Sequence, residues 1–225
     1  MPEALSGTLT KTEKSHQDDP PAEEDMNISQ CKKITFAYTE ASYEDVLYKL
    51  KIKAALDKTY SLHAGTNKIN DIFVVADKCD PQIYNSKILK AIFLPCKATC
   101  GTMMISNIQD GWRTLCFQLS TELEKGFYVF DWTDTSHKNV INSFTYIENG
   151  EVLRAVYSMK DPRWIFYQTG EPMRFENTTF YDNKIKSKRI NKSIILDYCK
   201  YLNLDLDNIN FMAPSKSAIL SLFSD

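Results

Sequence analysis

The stretch from Phe144 to Arg154 reads Phe-Thr-Tyr-Ile-Glu-Asn-Gly-Glu-Val-Leu-Arg, two apolar runs on either side of Asn149-Gly150. A two-residue hairpin loop of type I′ needs positive φ at both central positions, and Asn-Gly tolerates this well. The stretch therefore predicts a β-hairpin, which commits its surroundings to antiparallel pairing. Just upstream, Trp112, Leu115, Cys116, Leu119 and Leu123 recur at helical spacing. They form the apolar stripe of a helix starting near Gly111. Gly126 stands where a left-handed residue would close it. Residues 127–132 predict a strand whose four aromatics divide two to each face. Residues 163–167 and 173–175 predict a second strand pair, turned at 169–172.

The first half of the chain is patterned less clearly. Residues 33–38 predict a strand. Ser42 and Asp45 make a capping-box-like start for a helix to about Leu56, with Tyr43, Val46, Leu47, Leu50 and Ala54 on one face. A loop is expected around 63–67, and strands at 71–76, 88–94 and 102–106, with a turn at Asp80-Pro81. Near the other end, residues 186–202 predict a long helix with Ile190, Ile194, Ile195, Tyr198 and Leu202 facing inward, closed by Asn203 in a left-handed conformation. Residues 215–223 predict a short terminal helix. Helices and hairpins in this order give an α+β class with a largely antiparallel sheet. The ordered part, 31–225, is either one domain or two sub-lobes, 31–108 and 109–225, meeting near 107–111.

Composition confines the tail and the compartment. Residues 1–30 carry two basic against seven acidic side chains and almost no large apolar ones. Such a segment cannot bury enough surface to offset its ordering entropy, so an acidic disordered tail is expected there. The rest of the chain is mildly basic, too mildly to imply nucleic acid by itself. No apolar run is long enough to span a bilayer. The six cysteines are scattered and no secretory signal pattern is visible, which together predict reduced thiols and a cytoplasmic protein.

The glycines exclude a class of activity. The seven glycines form neither GxGxxG nor GxxxxGK[ST], the loops that bring backbone N–H groups against phosphates. No nucleotide cofactor is expected. His63 and His137 are the only histidines outside the tail, and neither stands in a nucleophile-elbow sequence. The Cys96-x-x-x-Cys100 spacing offers two thiols without a second ligand pair, so no metal is expected. A non-enzyme follows.

Two clusters remain as candidate partner-binding residues. Lys184, Lys186, Lys188, Arg189 and Lys192 place five cations within nine residues, suited to an acidic protein surface or to phosphates. On a helix starting early, Lys184, Lys188 and Lys192 would share one side. Asp131, Trp132 and Asp134 lie at a predicted strand end beside His137. Asp131, Asp134 and His137 are the residues a hydrolase would use, and the basic cluster those of a nucleic-acid-binding accessory protein. Abundant strand aromatics favour the third option, binding of another protein.

From about residue 105 to 205 the order of features is similar to small cytosolic bacterial α+β proteins of the toxin-immunity kind. The residues carrying the resemblance are Asp110-Gly-Trp112, Phe144 to Gly150, Arg154, Trp164, Gly170-Glu-Pro172, Phe175-Glu176 and Tyr198-x-x-x-Leu202. It implies a non-catalytic protein that neutralises a toxin by covering its active site. It transfers no catalytic residue.

Overall fold

The computed structural model describes residues 27–66, 88–107, 110–136, 139–208, 211–212 and 216–223. The expected strand at 71–76, the Asp80-Pro81 turn, His137 and most of the acidic tail lie outside them. One antiparallel sheet of nine strands organises the rest, in the order β2-β9-β3-β4-β1-β5-β6-β7-β8. The strands are β1 Lys33–Thr39, β2 Tyr60–Gly65, β3 Ile88–Pro95, β4 Thr102–Ser106, β5 Phe127–Thr133, β6 Ile141–Glu148, β7 Glu151–Asp161, β8 Arg163–Thr169 and β9 Ser217–Phe223. Among the described residues three α-helices accompany them: α1 Tyr43–Leu56, α2 Arg113–Leu123 and α3 Lys192–Tyr201. The α+β class and the antiparallel sheet are as the sequence predicts. A single sheet passes through both halves of the chain, because β1 is hydrogen-bonded to β4 on one side and β5 on the other.

Side-chain alternation makes the sheet two-sided. Along β1, Ile34, Phe36 and Tyr38 join one core with Phe130, Trp132, Phe144 and the inner side of α3. Ala37 joins the opposite core, with Tyr43, Val46 and Leu50 of α1 and Leu115, Cys116 and Leu119 of α2. The aromatics of β5 therefore divide three to one, since Tyr128, Phe130 and Trp132 share a parity and only Phe127 has the other. Central aromatics are consumed by these two cores.

Local signals hold where their bonds are local. Ser42 accepts the Asp45 N–H at 3.1 Å and caps α1. Asn149 and Gly150 both have positive φ, 52° and 77°, as the hairpin turn requires. Asn203 is left-handed at φ 58°.

Several expectations are corrected. Ile28–Gln30 forms a 3-10 turn with Ile28 buried, so order reaches into the stretch that composition assigns to the tail. Residues expected as a loop around His63 belong to β2. Trp112 caps α2 rather than starting it, and the left-handed residue that closes α2 is Glu124. Gly126 is needed for another reason: a Cβ there would lie 2.3 Å from the Tyr146 hydroxyl. β8 pairs with β7 across Pro162, while residues 173–175 are not a strand. The predicted long helix is broken into a 3-10 turn, Lys186–Lys188, and α3, because the Asn191 side chain accepts the Ile194 N–H at 3.1 Å and restarts the helix. The terminal segment is a strand, not a helix. It fills the slot between β2 and β3 and pairs with both.

Candidate functional site

The break before α3 decides the fate of the basic cluster. Lys184, Lys186 and Lys188 leave the axis on which Lys192 sits, so they do not line one helical face. Lys186 contributes its carbonyl to the Ser158 hydroxyl at 2.7 Å, which ties the 3-10 turn to β7. Arg189 donates Nε to the Asn183 carbonyl at 2.7 Å and lies over the Phe166 ring. None of the five cations is ion-paired among the described residues.

Lys192 is separated from the other four and meets the end of β5. Its ammonium donates to the Cys31 carbonyl at 3.1 Å and lies 5.4 Å from the Trp132 ring centre. It lines a cavity of about 380 Å³ together with Thr133, Asp134, Asn142, Trp164 and the first turn of α3. Asp134, at the exposed end of this cavity, accepts the Ser136 N–H at 2.9 Å. That bond holds its carboxyl below the usual range. The structure thus brings Asp134 and Lys192, from the two predicted clusters, to one cavity.

Trp132 and Asp131 are placed differently. Trp132 is fully buried and its indole N–H donates to the Cys31 carbonyl at 2.8 Å, so it is a core residue and not a surface anchor. Asp131 points to the opposite side of the sheet. It accepts from Arg113 at 2.7 Å, Thr35 at 2.6 Å and Ser143 at 2.5 Å. Asp131 and Asp134 therefore do not form a carboxylate pair around one reacting centre.

The Asp131–Arg113 pair closes one end of an open face on β6, β7 and β8. A cavity of about 400 Å³ there is lined by Ile141, Val152, Ala155, Tyr157 and Met159 beside the pair. α2 covers β5 and the near part of β6, and leaves β7 and β8 uncovered on this side. Val152, Ile165 and Tyr167 are between 41% and 47% exposed, and Tyr157 and Tyr167 stack with centroids 5.2 Å apart. β8 is also the last strand of the sheet. Sequence reading missed this face because α2 and the hairpin are adjacent in sequence. How far a helix reaches across a sheet has no local signature.

A second concave surface, about 790 Å³, lies across the sheet. Tyr38, Tyr128, Phe175 and Tyr201 line it, with Glu40 and Arg174 among its charged residues. Burial, and secondarily the charge of Glu40, pushes the Tyr128 phenol up to about 12.

Beneath that surface runs a densely hydrogen-bonded buried group. Arg154 and Glu176 form an ion pair whose side chains are 2% and 0% exposed. Arg154 donates to both Glu176 oxygens, the Thr169 and Gly170 carbonyls and Gln168 Oε1. Glu176 also accepts the Met173 N–H at 2.8 Å and the Tyr181 hydroxyl at 2.6 Å. With the Tyr181 proton committed to the carboxylate, Tyr198 donates to Tyr181 across 2.8 Å. Burial and then the Glu176 bond hold the Tyr181 phenol far above its usual range. Every donor and acceptor faces a partner, which is how a buried charge pair is tolerated. This network fixes residues 169–182 onto β7.

These features define an α+β protein built on one antiparallel sheet, with an exposed apolar face and a small polar cavity. No protein family, curated protein or solved structure matches the chain.

Proposed function

We propose that this chain is a non-catalytic protein-binding protein whose partner docks on the open face of β7 and β8. The observation that carries this reading is the uncovered apolar face itself. Tyr157 and Tyr167 stack across the final strands, Ile165 and Val152 are exposed on the same side further along them, and a charged pair stands at the margin. Contiguous exposed apolar surface costs solubility, and aromatic anchors of this kind supply most of the affinity in protein interfaces. Arg113 and Asp131 at the margin would fix the orientation of the partner.

The sharpest form of the proposal is an immunity-type protein of a bacterial cytoplasm that neutralises a toxin by covering it. Support for that form is the resemblance in feature order across 105–205 and the absence of nucleotide-binding glycine loops in the sequence. The test is affinity capture from the native host with the wild-type chain and with Tyr167→Ala and Ile165→Asp, followed by expression of any captured protein alone and together with this chain. A partner that is toxic alone, is silenced by co-expression, and is lost by both variants supports the reading. A partner retained by both variants removes the β7–β8 face, and a partner harmless when expressed alone removes the immunity form.

A further inference from the structure

The cavity at the start of α3 contains a feature that stability does not explain. Thr133 Oγ1 and Asn142 Oδ1 are buried and have no hydrogen-bond partner. Both residues border the cavity and are only 4% and 5% exposed; alternation turns Asn142, like Trp132 beside it, toward α3, and Thr133, like Asp131, to the other side of the sheet. A buried polar atom left unpaired has lost its hydrogen bonds to water without replacement, a cost to stability. Thr133 and Asn142 come from β5 and β6, and apolar residues at either position would have removed that cost.

The surroundings of Asn142 select what would pair with it. The Lys192 ammonium has three N–H donors, and one is used, on the Cys31 carbonyl. The N-terminal turn of α3 contributes Lys192 and Ser193, whose backbone N–H groups precede the first helical bond. Asn191 caps only the Ile194 N–H. Ser187 and Thr135 add hydroxyls, and Trp164 supplies one flat apolar wall. Among the described residues the Asn142 carboxamide has no hydrogen-bond partner, so turning it by 180° presents its N–H₂ without loss. Asn142, Lys192 and the first turn of α3 thus bring donors, a positive charge and the positive end of a ten-residue helix to one cavity. The single opposing charge in the lining, Asp134, is at the exposed end and is turned toward the Ser136 N–H.

We infer that this cavity is a binding site for a small oxyanion, a phosphate monoester or a carboxylate, whose attached group lies against Trp164. The oxyanion accepts from Lys192, Asn142 and the first turn of α3. This site is on the other side of the sheet from the β7–β8 docking face, and it does not depend on the protein-binding reading.

The test is titration of the full chain at low ionic strength with inorganic phosphate, acetate and phenyl phosphate, followed by Trp fluorescence and by thermal shift. Saturable binding is expected with at least one of them. Phenyl phosphate should be the tightest and should quench Trp164, a signal that Trp164→Phe removes. Preference between phosphate and acetate identifies the head group. Lys192→Met should weaken binding by about tenfold or more. Asn142→Leu should abolish binding and leave the thermal midpoint unchanged or higher, because an unpaired polar group is replaced by an apolar one. Lys184→Met, in the basic cluster outside the cavity, should change affinity less than twofold. No saturable binding of any of the three at tens of millimolar overturns the site. So does binding that survives Asn142→Leu and Lys192→Met, or that falls equally with Lys184→Met, which would mean nonspecific attraction to the basic segment.

Discussion

Removing Arg154 tests whether the buried network is the fastening of the β7–β8 end. In Arg154→Met the Glu176 carboxylate, wholly buried, keeps the Met173 N–H and the Tyr181 hydroxyl but loses its only positive partner. The carbonyls of Thr169 and Gly170 and the Gln168 amide lose donors at the same time. Breaking a buried pair from one side typically costs about 3–5 kcal/mol. In a chain of this size that corresponds to a fall in Tm of roughly 10 °C. Urea unfolding followed by circular dichroism measures the loss directly, with an unchanged denaturant slope as the sign that both end states are comparable. The double variant Arg154→Met, Glu176→Gln removes the stranded charge while the amide oxygen still accepts the Met173 N–H. It should therefore be more stable than Arg154→Met alone. A loss below about 1 kcal/mol in the single variant, or a double variant no better than the single, would refute the reasoning.

The alkaline limb should be steep. Burial pushes the Cys96 and Cys116 thiols from 9.0 up to about 12, and the Tyr128 and Tyr198 phenols from 10.0 up to about 12. These groups are raised in the folded state, so their contribution is complete below the unfolded values. It is lost as pH climbs from about 9 toward 12, at about 1.4 kcal/mol per pH unit for a fully buried group such as Cys116. Urea midpoints across this window should fall, and less steeply in Cys116→Ala; a slope unchanged by that substitution counts against the assignment. Gly170→Ala should be severely destabilising, because φ is +77° and the added Cβ would lie 1.8 Å from the Leu153 carbonyl oxygen. A loss of about 1–3 kcal/mol or more is expected in the same urea assay, and a neutral result would mean that the turn at 170 relaxes freely.

What the sequence determined by itself is what hydrogen bonds between near neighbours decide. Asn149-Gly150 could be read as the hairpin turn because both residues carry the required φ within the dipeptide. Ser42 could be read as a cap because its acceptor is three residues away. The apolar stripe of α2 and the α+β order follow from periodicity over a single element. The tertiary structure decided everything that depends on a distant partner. Residues 217–223 are a short apolar run that suits a helix end or a strand equally well. They became β9 because β2 and β3 offered two unpaired edges to fill. Trp132 and Asp131 are adjacent in sequence and were grouped as one site, yet alternation sends them to opposite faces of the sheet. Conversely, Thr133, Asn142, Trp164 and Lys192 come from three strands and a helix, and no spacing rule joins them. Only the closing of β5, β6 and β8 under the start of α3 puts the unpaired Asn142 amide oxygen in one cavity with the Lys192 ammonium.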